Sequence, residues 1–293
     1  VSQEFKSQLT NAVALVEAKL NTLLPTADHS LVADPMRHAV LNGGKRLRAF
    51  LVMETAALFD VPTEQSVYAA SAIECIHAYS LVHDDLPCMD DDDLRRGLPT
   101  VHVKWDEATA VLVGDALQTI AFEILAERAA ADTDAIRVRL ISSMAKAAGA
   151  NGMVLGQAQD IAAETASTPL TLDQITQLQA HKTGALIQWS AQAGALLADE
   201  PTDALGEYAT ALGLAFQIQD DVLDIEGDPQ AAGKRLQKDA EAGKATFVSI
   251  LGLAEAKHRA KLLVEQANDV LSPYGAKADA LRAVAQYVIE RDK

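Results

Sequence analysis

Apolar residues recur at three- and four-residue spacing along almost the whole chain, and Ala, Leu, Glu, Gln and Lys fill the positions between them. That period is the mark of amphipathic helix, and those fillers are good helix formers. The pattern predicts helices over Gln3–Leu24, Pro35–Leu41, Leu47–Phe59, Glu64–Asp85, Glu107–Ala130, Asp134–Glu164, Leu172–Ala198, Thr202–Ile225, Lys244–Leu271 and Lys277–Glu290. No sustained two-residue alternation competes with them. Breaks fall at Pro25, Asn42-Gly43-Gly44, Pro62, Gly97-Leu98-Pro99, Ser167-Thr168-Pro169, Asp228-Pro229 and Ser272-Pro273. Gly149, Gly152 and Gly156 within the Asp134–Glu164 stretch leave open a kink or a close packing contact. Linkers are short and no low-complexity segment intervenes, so the expectation is one all-α domain over 1–293.

Composition narrows the range of functions. The chain has 293 residues, half of them hydrophobic (49%), enough for a large core. A net charge of −16 disfavours nucleic acid, which needs a basic footprint, so any anionic substrate must bind at a local basic cluster. The opening VSQEFKSQLT lacks a basic stretch followed by an apolar one, and no run approaches the about 20 apolar residues of a membrane span. A cytoplasmic protein without a membrane span is therefore expected. Cys75 and Cys88 lack zinc-ligand spacing and are expected to be free thiols.

Two acidic clusters interrupt this pattern: Asp84, Asp85 and Asp90 in LVHDDLPCMD, and Asp220, Asp221 and Asp224 in FQIQDDVLD. Carboxylates so close raise one another's pKa unless a cation offsets them. A hard divalent ion suits them, and Mg²⁺ usually takes one or two carboxylates plus water and phosphate oxygens. Gln217, Asp220, Asp221 and Asp224 share one helix face, in a segment whose other residues are mainly apolar. This argues against an ordinary solvated acidic stripe. In the first cluster His77, Ser80 and Asp84 follow helical spacing, and Pro87 is placed to end or kink the helix so that Asp90 curls back.

Basic residues gather beside these acids. Gly43-Gly44-Lys45-Arg46-Leu47-Arg48 sets three cations on a flexible backbone at a helix start. Arg95 and Arg96 follow the first acidic cluster, and Lys234, Lys238 and Lys244 follow the second. Together they suggest diphosphates held both through Mg²⁺ and by direct bonds.

The chain resembles the trans-prenyltransferases, specifically bacterial short-chain isoprenyl diphosphate synthases of the farnesyl diphosphate synthase type. The likeness lies in GGKRLR at 43–48, IHAYSLVHDDLPCMDDDDLRRGLPT at 76–100, GD at 114–115, KTG at 182–184, FQIQDDVLD at 216–224 and GKRLQKDAEAGKAT at 233–246. It implies an all-α bundle around a deep cavity, a homodimer, and three Mg²⁺ on an allylic diphosphate, with Mn²⁺ as a substitute. By that resemblance Asp84, Asp90 and Asp220 are direct metal ligands, supported by Asp85, Asp221 and Asp224. Gly44, Lys45, Arg48, His77 and Arg96 bind isopentenyl diphosphate. Arg95, Lys182, Thr183, Gln217, Lys234 and Lys244 contact the allylic diphosphate. Gln237 departs from the pattern, standing where the family often has glycine.

The implied reaction ionises dimethylallyl or geranyl diphosphate, joins the cation to isopentenyl diphosphate and loses a proton to the departing diphosphate. Tyr79 and Ser80 lie about one helical turn before Asp84; in the family an aromatic there, with two extra residues between the aspartates of the first motif, marks the farnesyl type. A geranylgeranyl or geranyl diphosphate synthase, a non-catalytic subunit of a heteromeric synthase, a terpene cyclase and a passive metal-binding protein are the alternatives. Aromatic residues at 4% of the chain and the intact second motif weigh against a cyclase.

Overall fold

The computed structural model describes residues 2–28, 30–226 and 245–291. Lys234, Gln237, Lys238 and Lys244 lie outside them. The described chain is a single-domain bundle of helices with one two-stranded hairpin.

Helices α1 (Gln3–Leu23), α2 (Ala33–Leu41) and α3 (Leu47–Leu58) lead into the 22-residue α4 (Thr63–Asp84). From Ala69 to Ile76 every residue of α4 is buried, so this helix is enclosed on all sides rather than amphipathic. Two polar side chains of that stretch are paired inside the protein: Ser71 donates to the Val67 carbonyl at 2.7 Å, and Glu74 pairs with Arg46. A hairpin of β1 (Leu94–Arg95) and β2 (Leu98–Pro99) follows, its turn residues Arg96 and Gly97 both at positive φ, as a tight two-residue turn requires.

Next come α5 (Val101–Lys104), α6 (Glu107–Ala126), α7 (Asp134–Ala148), α8 (Met153–Glu164), α9 (Leu172–Gln179), a π-helical turn at Ala180–Gly184, α10 (Ala185–Leu197) and α11 (Asp203–Glu226). Beyond the gap in description lie α12 (Phe247–Leu251), α13 (Leu253–Val270), a 3₁₀ segment (Ser272–Ala278) and α14 (Asp279–Glu290). Helix α4 packs on α3 and α6, α10 on α3 and α11, and α11 on α13. Val40, Ile73, Ile76, Leu117 and Leu186 centre the main core; Phe5, Phe50, Tyr208 and Leu281 centre a second.

Five expectations need correction. The Glu107–Ala130 helix ends at Ala126, and a separate 3₁₀ turn covers Arg128–Ala130. Asp134–Glu164 is two helices, because Gly149–Gly152 turns the chain, and a Cβ at Gly152 would lie 2.1 Å from the Ala147 carbonyl oxygen. Leu172–Ala198 is interrupted by the π turn. The Lys244–Leu271 stretch breaks at Gly252, whose φ of 81° closes α12 before α13 begins. Finally, α6 is long and apolar enough to cross a membrane by length and composition alone. Its inner face, from Ala110 and Val113 through Leu117 and Ala121 to Ile124, is instead buried against the core.

Candidate active site

Helix α4 ends at Asp84, and the chain then folds back: the Asp90 N–H donates to the Asp84 carbonyl at 2.8 Å. The first aspartate cluster is thus a compact turn at the open end of the central helix. Burial pushes the Asp84 carboxyl up to about 6; Lys182 and Arg95 oppose the shift, and Asp90 and Asp85 add to it. Asp85 is buried and accepts the Arg95 Nε–H at 3.0 Å, and burial raises its pKa too.

Facing this turn across a cavity of about 530 Å³ is the last part of α11. Asp90, Asp160, Lys182, Thr183, Gln217 and Asp221 border that cavity together. Asp221 is 7% exposed and accepts the Phe247 N–H at 2.7 Å, which ties α11 to the start of α12. Asp220 is bound at 2.6 Å by Arg291, just past α14, whose guanidinium also lies 4.0 Å from the Phe216 ring centre. Asp224 follows one turn later, half-buried.

The π turn presents Lys182 and Thr183. Lys182 Nζ meets Asp160 at 2.6 Å, and the Thr183 hydroxyl donates to the Gln217 amide oxygen at 3.2 Å. Gly156 lets α8 approach that turn: a Cβ there would stand 2.1 Å from the Lys182 backbone nitrogen.

The third component is the basic loop before α3. Gly44, at φ 117°, leaves room for the Arg96 guanidinium, which a Cβ would meet at 2.8 Å. Arg96 donates to the Gly43 carbonyl. Arg95, the last residue of β1, turns to Asp85, while Arg96, in the left-handed hairpin turn, reaches this loop. Arg48 Nη1 and His77 Nε2 are 3.5 Å apart. His77 is held neutral well below its ordinary range, first by burial and then by Arg48, Arg96, Arg95 and Arg46. Arg48 in turn feels both Glu74 and Asp220, which brings the basic loop next to the second aspartate cluster.

Tyr79 is buried one turn below Asp84 with its ring edge-on to His83, and burial raises its hydroxyl pKa. Ser80 donates to the His77 carbonyl at 2.9 Å.

Sequence reasoning missed Asp160, Glu74 and Arg291. The spacing of Gly156 and Asp160, one turn apart in GQAQD, marks a helix face that touches Lys182. Nothing local marks Glu74 or Arg291, whose partners lie 28 and 71 residues away.

Among the described residues no three His, Cys, Asp or Glu side chains form a ready-made metal cage. The donors are carboxylates on two walls of one cavity, and Asp84, buried beside Asp90 and Asp85, keeps a raised pKa despite Lys182 and Arg95. That arrangement suits Mg²⁺, which completes its shell with water and phosphate oxygens rather than an all-protein cage.

A helical bundle with acidic clusters on facing helices and a basic loop beside them defines the isoprenoid synthase type of fold. Residues 29–284 match the polyprenyl synthetase family. The chain is 44% identical over 300 residues to a farnesyl diphosphate synthase of Escherichia coli, covering 99% of this chain and all of that protein (100%). It superposes on a Zymomonas mobilis FPP/GFPP synthase crystal structure with TM-score 0.90 and 46% identity, over 97% of this chain and 99% of that one. A Helicobacter pylori geranyltransferase, solved with magnesium and isoprenyl diphosphate, matches with TM-score 0.84 and 35% identity over 99% of each chain. This chain belongs to the polyprenyl synthetase family and is a short-chain trans-prenyltransferase.

Proposed function

We propose that this enzyme condenses isopentenyl diphosphate with dimethylallyl and then geranyl diphosphate, releasing farnesyl diphosphate, with Mg²⁺ as cofactor. The observation that carries the proposal is the convergence of residues from both aspartate clusters and of Lys182, Thr183 and Gln217 on one cavity, with a second group of cations beside it.

Asp84, Asp90 and Asp220 are assigned as direct ligands of three Mg²⁺, with Asp85, Asp221 and Asp224 in support and Mn²⁺ an acceptable substitute. Bound Mg²⁺ would supply Lewis-acid neutralisation of charge developing on the departing diphosphate. Arg95 and Lys182 are assigned to the allylic diphosphate, as are Lys234 and Lys244, which lie outside the described residues. The oxygens of Thr183 and Gln217 stabilise positive charge on the allylic carbon without becoming nucleophiles themselves. Gly44, Lys45, Arg48, His77 and Arg96 receive isopentenyl diphosphate. Neutral His77 offers a hydrogen bond there without adding to the charge already held by the arginines. The cavity walls must exclude water, which would otherwise trap the cation.

Tyr79 is assigned as the floor that limits chain length, with Ser80 beside it. A homodimer in the cytoplasm completes the proposal; Val103, Val111 and Leu112, exposed along α5 and α6, offer an apolar face for a second copy. The Zymomonas relative's description as an FPP/GFPP synthase supports a second reading in which longer products also form. Chromatography of products from either primer decides between them. Farnesyl diphosphate as the end product supports the proposal, and a dominant longer chain overturns its chain-length part.

A further inference from the structure

The basic loop contains one arginine that does not face a substrate. Arg46 sits between Lys45 and Arg48, yet its side chain is only 2% exposed. Its backbone is left-handed, with φ 49° and ψ 33°, a conformation an L-residue adopts only when its surroundings hold it there. The same residue is the N-cap of α3, and its carbonyl accepts the Phe50 N–H at 2.9 Å.

The surroundings that hold it are specific. Arg46 Nη1 bonds Glu74 Oε2 at 3.0 Å, and Nη2 bonds both Glu17 Oε1 at 3.4 Å and the Val40 carbonyl. The other Glu74 oxygen accepts the Ala49 N–H at 3.2 Å, an otherwise unpaired donor in the first turn of α3. One guanidinium and two carboxylates therefore join α1, the end of α2, the start of α3 and the middle of α4. Glu74 lies one turn before His77 on α4, so its position fixes the loop relative to that histidine as well.

We propose that Glu74 and Arg46 are positioning residues for isopentenyl diphosphate: their buried ion pair sets the loop that presents Lys45 and Arg48. Glu74 also places a negative charge under a crowd of cations. Its field acts on Arg48 and Arg96 as well as on Arg46 and offsets the repulsion among them. Without it the arginines would spread and the diphosphate would lose its pre-set donors. Lys182, Thr183 and Gln217 of the allylic side stand on the π turn and α11, which this ion pair does not join.

The inference rests on the assignment of Arg48 to the isopentenyl diphosphate site, and the test separates the two. Steady-state kinetics of Glu74→Gln, Glu17→Gln and Arg48→Ala are measured against each substrate, with circular dichroism to establish folding. Folded Glu74→Gln is expected to raise KM for isopentenyl diphosphate at least about 10-fold while KM for geranyl diphosphate stays within about 2-fold. Glu17→Gln leaves Glu74 in place, so it keeps the fold and gives a smaller rise of about 2- to 5-fold in the same KM alone. Equal rises in both KM values, or no rise in either Glu variant, overturn the positioning role. An Arg48→Ala enzyme with unchanged isopentenyl diphosphate KM overturns the site assignment itself. If Glu74→Gln does not fold, the Glu17→Gln result decides.

Discussion

Replacing Asp84 with Asn should make the ligand-free protein more stable while abolishing its reaction. Burial and the nearby Asp90 and Asp85 push the Asp84 carboxyl from 3.8 up to about 6, so at neutral pH the fold holds a charge it disfavours. Fully sheltered, that displacement would correspond to about 3 kcal/mol. Solvent screening at this half-buried site reduces it to about 1–2 kcal/mol. The sign follows from proton uptake. The folded state takes up this proton before the unfolded state does, so the penalty is absent below 3.8 and grows as pH rises through about 6. In EDTA near about pH 8, Asp84→Asn should melt about 2–5 °C above the parent, and roughly half of that gain should remain near pH 5. Scanning calorimetry of both proteins at the two pH values makes the comparison. A variant that melts below the parent at the higher pH, or one whose advantage does not change with pH, would refute the argument.

Other substitutions probe separate parts of the site. Tyr79→Ala opens the proposed floor and should shift products beyond farnesyl diphosphate; an unchanged product distribution removes Tyr79 from that role. Gly156→Ala drives a Cβ to 2.1 Å from the Lys182 backbone nitrogen, which cannot yield as a flexible side chain would. Turnover should fall by about 100-fold as the π turn is displaced, and an unaffected kcat would show that this contact does not set the geometry. Arg291→Gln removes the partner of Asp220 and the contact with the Phe216 ring, and should cost about 1–3 kcal/mol in urea unfolding. Unaltered unfolding would show that the end of the chain carries none of that stability.

The all-α architecture was legible because period and propensity agree along most of the chain, as in α14, whose Leu281, Val284, Ala285 and Val288 form one buried face. Both aspartate clusters were legible too, since three- and four-residue spacing fixes which side chains share a face. The breaks were harder. Gly149–Gly152 separates α7 from α8, but glycines inside an apolar repeat fit close packing equally well, as Gly156 demonstrates a few residues later. The π turn at Ala180–Gly184 leaves the apolar period almost undisturbed and is stabilised by contacts with α8 and α11 that no local window contains. For the same reason Glu74 read as one more residue of a helix, although its meaning comes from Arg46, 28 positions away. Asp160 illustrates a middle case, with a visible spacing but a partner known only from the fold.

In the proposed reaction two diphosphates meet, one at the aspartate walls and one at the basic loop. Incorporation of labelled isopentenyl diphosphate into prenyl product, with dimethylallyl diphosphate as primer, tests it most directly when run with Mg²⁺ and with EDTA on the parent, Asp84→Ala and Arg48→Ala enzymes. Product is expected only with Mg²⁺, with near-complete loss in Asp84→Ala and a raised isopentenyl diphosphate KM in Arg48→Ala. Product formed in EDTA, or turnover surviving in Asp84→Ala, would contradict it.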